Sequence, residues 1–468
     1  MMIKKMILLV LAVLFLASCS QQPVELLDFI GNQDDFVIKY NGHVLKMYQD
    51  SDPEDVVIVF PDNNSPQSDA LLTRIKDIEN KYDLVIERTN KGSDDTIEHY
   101  IRAIGSNATD VELLFRDNGK STWFWAEAGV CIPFTEFPDI IDLSDTDKYG
   151  TPGVLEAAMI DGKPITVQPG YWPGYQSFEC FYMVYNQDMA GALGLTDLHE
   201  YYENETWTWD TMLKYFDDAV IGITNEDQIL FTAHSGYILN TMLYSNGFDY
   251  VDIVDGEPVF NLFADSCLNT LEFFKELDSR YGDKVDIGTT RWDIDKFVDE
   301  RTLTAMAIAQ DVVTGQIAYD IDFAYGLMPF PCGPDGTYGE WAQSVTRASG
   351  FNIPVTVDDP DMVARVVSEF CEPFEEFGGD KQGLIDYYST AILPSEIDGE
   401  IYFAVEGGTR YDYDDVGIIS LFQGIALDLR NASPMEVLQS SYNQIYDRYV
   451  EYIEPNLTGY ILEHMDIE

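Results

Sequence analysis

Apolar and polar residues alternate near the start of the chain in a pattern that predicts strands and helices in turn. The predicted elements are a strand over residues 56–60, a helix carrying Leu71, Leu72, Ile75 and Ile78, a strand over 84–86, a helix over 96–104 and a strand over 110–115. Alternation at this spacing predicts a parallel sheet with helices on both faces. Just before these elements, residues 36–40 and 43–48 flank Asn41-Gly42, which predicts a hairpin.

Polar side chains follow two of the predicted strands at the points where the strands end. Asp62 and Asn63 follow the first strand, and Arg116, Asp117 and Asn118 follow the third. Ligands of open α/β sheets bind past the carboxyl ends of the strands. We therefore expect these side chains to contribute to a ligand site.

The N-terminus carries the pattern of an export signal. Lys4 and Lys5 provide positive charge, and residues 6–17 form an apolar run of twelve. A membrane-spanning helix needs about 20 apolar residues, so this run fits the hydrophobic region of a signal peptide. Residues 16–19, Leu-Ala-Ser-Cys, resemble a bacterial lipobox, which predicts cleavage before Cys19 and a lipid on its sulfur. An ordinary cleaved signal and a retained anchor are the alternatives.

The charge of the chain narrows the choice of partners. Among 468 residues, 82 are acidic and 27 are basic, giving a formal net charge of −55. Nucleic acid and anionic lipid surfaces are excluded as partners, because they bind clustered Lys and Arg. The negative field also disfavours strongly anionic solutes, which leaves neutral or cationic ligands. The five cysteines beyond Cys19 are scattered without a C-x-x-C motif, so we expect mostly buried thiols and at most two disulfides.

Residues 181–216 resemble the extracellular solute-binding proteins that deliver sugars to ABC importers. In that family a strand ending in Tyr-Asn precedes a Lys/Gln-Asp helix, then Gly-Leu, then Thr-Trp-Asp at the start of a long helix. The chain has Tyr185-Asn186-Gln187-Asp188, Gly194-Leu195 and Thr208-Trp209-Asp210 in that order. Further matches in the family's order are residues 163–167, 297–306 with Glu300 in place of the usual glycine, 325–331 and 349–354.

The resemblance implies an α/β, two-lobed type II periplasmic-binding-protein fold, with a mixed sheet flanked by helices in each lobe and a multi-segment hinge. It divides the chain into a lipoprotein signal peptide (1–18), a tether (19–35), lobe 1 (36–175 and 345–395) and lobe 2 (176–344 and 396–468). It also implies capture of a mono- or oligosaccharide in the interlobe cleft and delivery to the permease subunits of an ABC importer. The expected form is a monomer on the outer face of the bacterial cytoplasmic membrane, held there only by the lipid on Cys19.

Carbohydrates present apolar faces and hydroxyl groups, so their sites combine aromatic rings with hydrogen-bonding side chains. From strand ends, crossovers and the family's cleft positions, we expect ligand contacts from Asp62, Asn63, Arg116, Asp117, Asn118, Trp123, Trp125, Tyr171, Trp172, Tyr175, Trp341, Tyr411 and Tyr413. Each aromatic residue has the alternative of a core or surface position, because the chain has 29 Tyr, 26 Phe and 7 Trp. Trp207 and Trp209 are assigned to packing at the start of a helix.

Motifs of catalysis and cofactor binding are missing from the sequence. It contains no G-x-S-x-G, H-E-x-x-H, phosphate loop or G-x-G-x-x-G, so we expect neither an enzyme nor a cofactor. The alternatives are a cell-surface glycoside hydrolase, since the acidic residues could supply a carboxylate pair, and a glycan-binding lipoprotein without a transport role. Residues 145–156 partly match a calcium loop, but Tyr149 stands at the fifth position. A loop that caps a helix is the other interpretation, and we expect no metal.

Overall fold

The structure, a computed structural model, describes residues 38–50, 66–91, 102–116, 128–152, 155, 159–160, 162–172, 180–254, 257–288, 294–313, 315–345, 350–411 and 418–450. Across these ranges, no helix is both long enough and apolar enough to cross a membrane. The predicted strand over 56–60 and most of the predicted helix over 96–104 lie outside the described residues; residues 102–105 are helical.

Strands and helices alternate through most of the described chain. The strands are β1 (His43–Asp50), β2 (Leu84–Lys91), β3 (Leu113–Arg116), β4 (Cys131–Ile132), β5 (Met159–Ile160), β6 (Lys163–Pro164), β7 (Phe181–Asn186), β8 (Ile229–His234), β9 (Val251–Val254), β10 (Glu257–Phe260), β11 (Val285–Gly288), β12 (Thr302–Ile308), β13 (Tyr325–Met328), β14 (Gln343–Val345), β15 (Gly350–Pro354) and β16 (Thr409–Tyr411). The α-helices are α1 (Pro66–Tyr82), α2 (Thr146–Tyr149), α3 (Gln187–Ala192), α4 (Leu198–Glu203), α5 (Trp209–Gly222), α6 (Ser235–Ser245), α7 (Asp265–Tyr281), α8 (Asp295–Val298), α9 (Ala309–Val313), α10 (Gln316–Asp320), α11 (Pro360–Phe370), α12 (Lys381–Tyr387), α13 (Glu396–Gly407), α14 (Ile418–Asp428) and α15 (Pro434–Arg448).

Sheet 1 combines strands from the start of the chain with one strand that returns much later. Its order is β2-β1-β3-β15-β4, in which β1, β2 and β3 are parallel and β15 is antiparallel to β3 and β4. Helix α1 packs on β2 and buries Leu71, Ile75 and Ile78, as their spacing predicts. The predicted parallel arrangement and the apolar face of this helix are therefore confirmed.

The hairpin predicted at Asn41-Gly42 is wrong. Residues 38–40 form no strand, and β1 pairs in parallel with β2 on one side and with β3 on the other. Asn41 and Gly42 still turn the chain, since both have positive φ. The strand that opens the parallel sheet is therefore β1, which the sequence pattern had assigned to the hairpin.

Sheet 2 is formed by a continuous part of the chain. Its order is β11-β8-β12-β7-β13, with β8, β11 and β12 parallel and β7 antiparallel to β12 and β13. All six residues of β7 are buried, as expected for a strand covered on both faces. Helix α13 covers one of these faces, where Tyr182 stacks on Tyr402 with ring centroids 5.1 Å apart.

The start of α5 has the local structure that its sequence predicts. The Thr208 side chain accepts from the Thr211 N–H, and the Thr211 hydroxyl accepts from the Thr208 N–H, so the two residues form a reciprocal cap. Trp209 is buried against Phe273, with the rings stacked at 4.2 Å, and Trp207 is fully buried. The assignment of both tryptophans to packing at a helix start is confirmed.

Glu300 adopts a backbone conformation that favours glycine. Its φ is 57°, in the left-handed region, where a side chain causes strain that glycine avoids. This position is the one at which the pattern over 297–306 usually has glycine. The chain therefore keeps the turn without the glycine, and Glu300 carries backbone strain there.

The five cysteines that the structure describes are all buried. Cys131, Cys180, Cys267, Cys332 and Cys371 are each at most 6% exposed. They behave as small hydrophobic residues, as expected from their scatter along the sequence.

Arg74 joins α1 to the carboxyl end of α11. Its guanidinium donates to the carbonyl oxygens of Glu369 (2.7 Å), Glu372 (2.8 Å) and Pro373 (2.7 Å). It also lies 4.2 Å from the ring centroid of Phe374. Arg74 thus adds charged donors to carbonyls at and just past the end of the helix, where intrahelical partners become few.

The variant Arg74→Lys should lower the free energy of unfolding by about 2–3 kcal/mol. A lysine ammonium keeps the charge, but it cannot replace a planar fork that reaches three carbonyls, and a hydrogen bond to a charged group contributes about 1.5–3 kcal/mol. Urea denaturation followed by circular dichroism measures the change. The exposed Arg301→Lys is the control, with a loss under about 0.5 kcal/mol; equal losses in both variants would contradict the role of Arg74.

Candidate functional site between the two sheets

The parallel strands of sheet 1 end together at one edge, which we call the carboxyl edge of sheet 1. β1, β2 and β3 end at Asp50, Lys91 and Arg116. The returning strand β15 begins at the same edge, because Gly350 pairs with Arg116. Chain entering sheet 1 from β14 therefore arrives at the edge where ligands of such sheets bind.

Sheet 2 has a matching carboxyl edge. β8, β11 and β12 end there at His234, Gly288 and Ile308. β7 runs in the opposite direction and begins at this edge, because Phe181 pairs with Ile308. Chain entering sheet 2 at β7 thus also arrives at a carboxyl edge.

A hydrogen bond and a short stretch of chain link the two carboxyl edges. The Phe181 N–H, at the edge of sheet 2, donates to Oε1 of Gln343 in β14 at 2.7 Å. Gly350, at the edge of sheet 1, follows Gln343 by seven residues, which span at most about 25 Å when extended. The space between the two edges is therefore the candidate ligand site, in the position expected for α/β sheets.

The wall that sheet 2 contributes combines aromatic and polar groups. The rings of His234 and Tyr237 are 4.7 Å apart, and those of Tyr237 and Phe181 are 5.1 Å apart. Burial lowers the pKa of His234, so its imidazole is neutral at neutral pH and offers both a donor and an acceptor. Such a wall can pack against an apolar face of an uncharged ligand and hydrogen-bond its hydroxyl groups.

Sequence reasoning missed this wall, although a signal for it was present. Helix α6 follows β8, and helix α9 follows β12, so the strand–helix alternation continues here. His234 ends β8, and Asp311 comes shortly after the end of β12. The rule that ligands bind past the strand ends would have selected them. The expectation drawn from strand ends covers only the strands predicted over residues 56–60 and 110–115, so it does not reach these residues.

Trp172, expected to contact a ligand, lies in the core beside sheet 1. It is fully buried, and its ring stacks on Phe115 at 5.5 Å. Phe351 and Phe370 pack against it edge-to-face, and its indole N–H donates to the Phe370 carbonyl at 2.6 Å. This placement leaves no ring face for a solute. The enclosing rings of Phe351 and Phe370 come from residues far along the chain, which local sequence does not reveal.

Trp341 and Tyr171 are less enclosed. Trp341 is 9% exposed, stacks on Tyr202 at 5.7 Å and meets Tyr338 edge-to-face at 4.9 Å. Tyr171 is half-buried, and burial together with nearby carboxylates raises the pKa of its hydroxyl. Both residues lie in segments that run between the sheets, and their contact with a ligand stays a prediction.

The remaining predicted contacts are only partly described. Arg116 ends β3 at the carboxyl edge of sheet 1, and Tyr411 ends β16, where it pairs with Val345. Nine further residues lie outside the described ranges: Cys19, Asp62, Asn63, Asp117, Asn118, Trp123, Trp125, Tyr175 and Tyr413.

The partial calcium motif begins with a helix cap. Asp145 precedes α2, and its carboxylate accepts from the Lys148 N–H at 3.2 Å. Within the described ranges, no three His, Cys, Asp or Glu side chains form a group that could hold a metal ion. Asp145 caps α2, and Glu156, the last position of the motif, lies outside the described residues.

Comparison with known proteins identifies a family whose model matches this chain. A model of the family described as bacterial extracellular solute-binding protein matches residues 73–367, more than half of the chain. No curated protein sequence matches.

Solved structures share the fold over almost their whole length. A cyclic alpha-maltosyl-1,6-maltose binding protein from Arthrobacter globiformis has a TM-score of 0.63 at 15% identity, covering 89% of this chain and 99% of that one. An ABC substrate-binding protein from Listeria monocytogenes in complex with cycloalternan has a TM-score of 0.61 at 14% identity, covering 87% and 98%. The sugar-binding protein MalE from Xanthomonas citri has a TM-score of 0.61 at 12% identity, covering 87% and 98%. The expected two-lobed type II periplasmic-binding fold is confirmed.

Proposed function

The chain belongs to the family of bacterial extracellular solute-binding proteins, and we propose that it captures a carbohydrate between its two sheet edges for an ABC importer. The carboxyl edges of the two sheets carry this proposal, because α/β proteins bind small ligands past such strand ends and the Phe181–Gln343 hydrogen bond links one edge to the segment that leads to the other. Hinge bending between the two halves would enclose the solute. Members of the family and the similar solved proteins are binding proteins, so we propose capture without turnover.

An uncharged sugar fits the acidic net charge of the chain and the side chains at the carboxyl edge of sheet 2. The net charge of −55 disfavours anionic solutes. His234 and Tyr237 are partly exposed and offer a neutral imidazole and a phenol ring, with the buried Phe181 ring packed against Tyr237. The similar protein from A. globiformis is a cyclic alpha-maltosyl-1,6-maltose binding protein, and the similar protein from L. monocytogenes is in complex with cycloalternan. These observations favour an oligosaccharide as the solute of this chain.

The groove contacts that we propose come from both edges. His234 and Tyr237 contribute from sheet 2, and Arg116 from the end of β3 contributes from sheet 1. The other predicted contacts stay part of the proposal, namely Asp62, Asn63, Asp117, Asn118, Trp123, Trp125, Tyr171, Tyr175, Trp341, Tyr411 and Tyr413. Trp172 is left out because it packs in the core. The lobe boundaries at 36–175 with 345–395 and at 176–344 with 396–468 also stay proposals. They are supported by sheet 1 and sheet 2, since all strands of sheet 1 fall within the first lobe and all strands of sheet 2 within the second.

A lipid on Cys19 would hold the monomer at the outer face of the cytoplasmic membrane. The proposal rests on the lipobox-like residues 16–19 and on the positive charges at Lys4 and Lys5. A tethered carrier stays close to the permease subunits that receive its solute. Several acyl chains hold a protein far more firmly than one.

A panel of neutral mono-, linear and cyclic oligosaccharides should identify the solute by thermal shift. A ligand present at 100 times its Kd stabilises the folded state by about 2.7 kcal/mol, which raises the melting temperature clearly.

The variant His234→Ala should then raise the Kd of that solute about tenfold, because the substitution removes a neutral donor and acceptor from the wall. Isothermal titration calorimetry measures the change.

The matched control is His43→Ala, since His43 begins β1 at the opposite end of sheet 1. Its Kd should equal that of the unchanged chain. If no sugar in the panel shifts the melting temperature or the intrinsic tryptophan fluorescence, the carbohydrate assignment fails. Release of a shorter sugar from any panel member would instead indicate a hydrolase.

A further inference from the structure

The two aromatic side chains that are exposed in the described part of the chain belong to one cluster. Phe263, in the connection from β10 to α7, is 39% exposed, and Tyr446 of α15 is 38% exposed. The half-buried Tyr442 joins them, because its ring centroid lies 5.4 Å from that of Phe263 and 5.3 Å from that of Tyr446. None of these residues is a proposed groove contact, so the groove gives the cluster no role.

The three rings are near-parallel and offset from one another. The planes of Phe263 and Tyr442 differ by 23°, and those of Tyr442 and Tyr446 by 11°. Carbon atoms of stacked faces touch at about 3.5–4.0 Å, so the larger centroid distances mean that the rings are displaced sideways and leave part of each face uncovered. Phe260 packs against Tyr446 at 5.7 Å and against the buried Tyr449 at 4.9 Å. The packed rings therefore lose little freedom when a ligand binds.

The side of α15 that carries the tyrosines has no charged side chain. Met435, Gln439, Tyr442, Asn443 and Tyr446 recur at the spacing of one helix face, which we call the α15 face. Charged residues make up 23% of the chain, and the net charge is −55. A cationic ligand finds no carboxylate on the α15 face, and an anionic ligand meets the negative field of the chain. An uncharged ligand is therefore the one that the α15 face fits.

The polar groups of the α15 face are available to such a ligand. Gln439 and Asn443 are exposed. Their side-chain amides, and the hydroxyls of Tyr442 and Tyr446, form no hydrogen bond with any other described residue. Amides and phenol hydroxyls both donate and accept. The α15 face thus combines ring faces with uncharged hydrogen-bonding groups, which is the combination that carbohydrates need.

We propose that the α15 face, together with Phe263, is a second carbohydrate site that binds an uncharged polysaccharide outside the groove. The apolar faces of the sugar rings pack on the offset aromatic rings, and the sugar hydroxyls bond to the amides of Gln439 and Asn443. A polysaccharide held there keeps the chain close to a source of its solute. This last effect rests on the proposed function, whereas binding at the α15 face does not.

Native gel electrophoresis of the full chain in gels that contain a polysaccharide tests the site. Amylose, pullulan, dextran and mannan are the uncharged probes, and polygalacturonate is the anionic control. At least one uncharged probe should slow the migration of the chain, and polygalacturonate should not, because the chain and this polymer repel each other. If none of the four uncharged probes slows the chain, the inference is overturned.

Variants at Tyr446 separate ring stacking from general apolar contact. Tyr446→Ala and Tyr446→Leu both lose the flat ring, although leucine keeps an apolar side chain, and each should weaken binding at least about fivefold. Tyr446→Phe keeps the ring and should stay within about threefold of the unchanged chain. Tyr446→Leu binding as well as Tyr446→Phe would contradict ring stacking.

A second variant and a matched control accompany these changes. Gln439→Ala removes an exposed amide and should weaken binding about three- to tenfold. The control is Ile221→Ala, because Ile221 is an apolar residue of α5 that is 82% exposed. It should bind the polysaccharide as the unchanged chain does. Equal affinity in Gln439→Ala, Tyr446→Ala and Ile221→Ala would overturn the inference.

Other occupants of the α15 face give different results. Sedimentation would show a dimer that Tyr446→Ala dissociates if the face bound a second copy of the chain. Vesicles of neutral phosphatidylcholine would bind the unchanged chain but not Tyr446→Ala if the face met a membrane. Either result, without a polysaccharide that Tyr446→Ala releases, overturns the inference.

The outcomes also separate the α15 face from the groove. Weaker polysaccharide binding in Tyr446→Ala, with an unchanged Kd for the solute identified by thermal shift, supports two sites. Polysaccharide binding that is lost in His234→Ala and kept in Tyr446→Ala would assign it to the groove and overturn the inference. Binding that Tyr446→Ala abolishes, with no panel sugar bound, would support the α15 face and overturn the carbohydrate assignment of the groove.

Discussion

Replacing Trp172 by alanine should lower the free energy of unfolding by about 3–5 kcal/mol. The side chain is fully buried, so its removal leaves a large cavity among Phe115, Phe351 and Phe370, and Trp→Ala changes in cores cost about this much. The Phe370 carbonyl also loses the indole donor at 2.6 Å. Urea denaturation of both chains gives the difference.

The variant Trp172→Phe separates packing from hydrogen bonding. It keeps an aromatic ring but loses the indole N–H, and we expect a smaller loss of about 1–3 kcal/mol. A Trp172→Ala variant that remains as stable as the unchanged chain, and loses only its affinity for sugar, would contradict the core position and restore the ligand contact expected from sequence.

Replacing Asp398 by alanine should cost a similar amount, about 3–5 kcal/mol at pH 6. Its buried carboxylate accepts from the Leu327 N–H at 2.6 Å, the Ser395 hydroxyl at 2.5 Å and His199 Nε2 at 3.0 Å. Removing one partner of a buried ion pair leaves the other without compensation. Burial of His199 opposes its charge, but the hydrogen bond and charge of Asp398, with Asp197 nearby, raise the pKa of the imidazole overall.

The pH dependence of unfolding distinguishes this pair from ordinary packing. Because the folded-state pKa of His199 lies above its unfolded value of about 6.5, its contribution is fully present below pH 6.5 and is lost as the pH rises through the folded pKa. The unchanged chain should therefore lose stability over that window, and Asp398→Ala should lose less. The exposed pair Lys214–Asp218 provides the control through Asp218→Ala, and identical pH profiles in all three chains would contradict a charged His199.

Local sequence was sufficient where neighbours along the chain determine the structure. The apolar spacing of Leu71, Ile75 and Ile78 predicted the buried face of α1, and Thr208 predicted the start of α5. Both depend on contacts within one or two helical turns. The family motifs added the order of the two lobes, which periodicity alone does not give.

Long-range pairing explains what the sequence did not predict. The Asn41-Gly42 turn suggested a hairpin, but both sides of β1 are taken by β2 and β3, and the partner of a strand is not encoded beside it. Trp172 was likewise assigned to the groove from its place near a crossover, whereas Phe351 and Phe370, far along the chain, enclose it. Side-chain facing at such positions depends on residues that local patterns do not connect.

The late return of β15 bears on the order in which the chain can fold during synthesis. β3 pairs with β1, but its second neighbour, β15, is present only when residues 350–354 emerge, about 230 residues after β3 itself. Every strand of sheet 2 lies between these two points. Sheet 2 can therefore assemble while β3 still presents an unpaired edge, and a chain with such an edge is prone to aggregation. A translation product that stops before residue 350 would retain one finished sheet and one that awaits its closing strand.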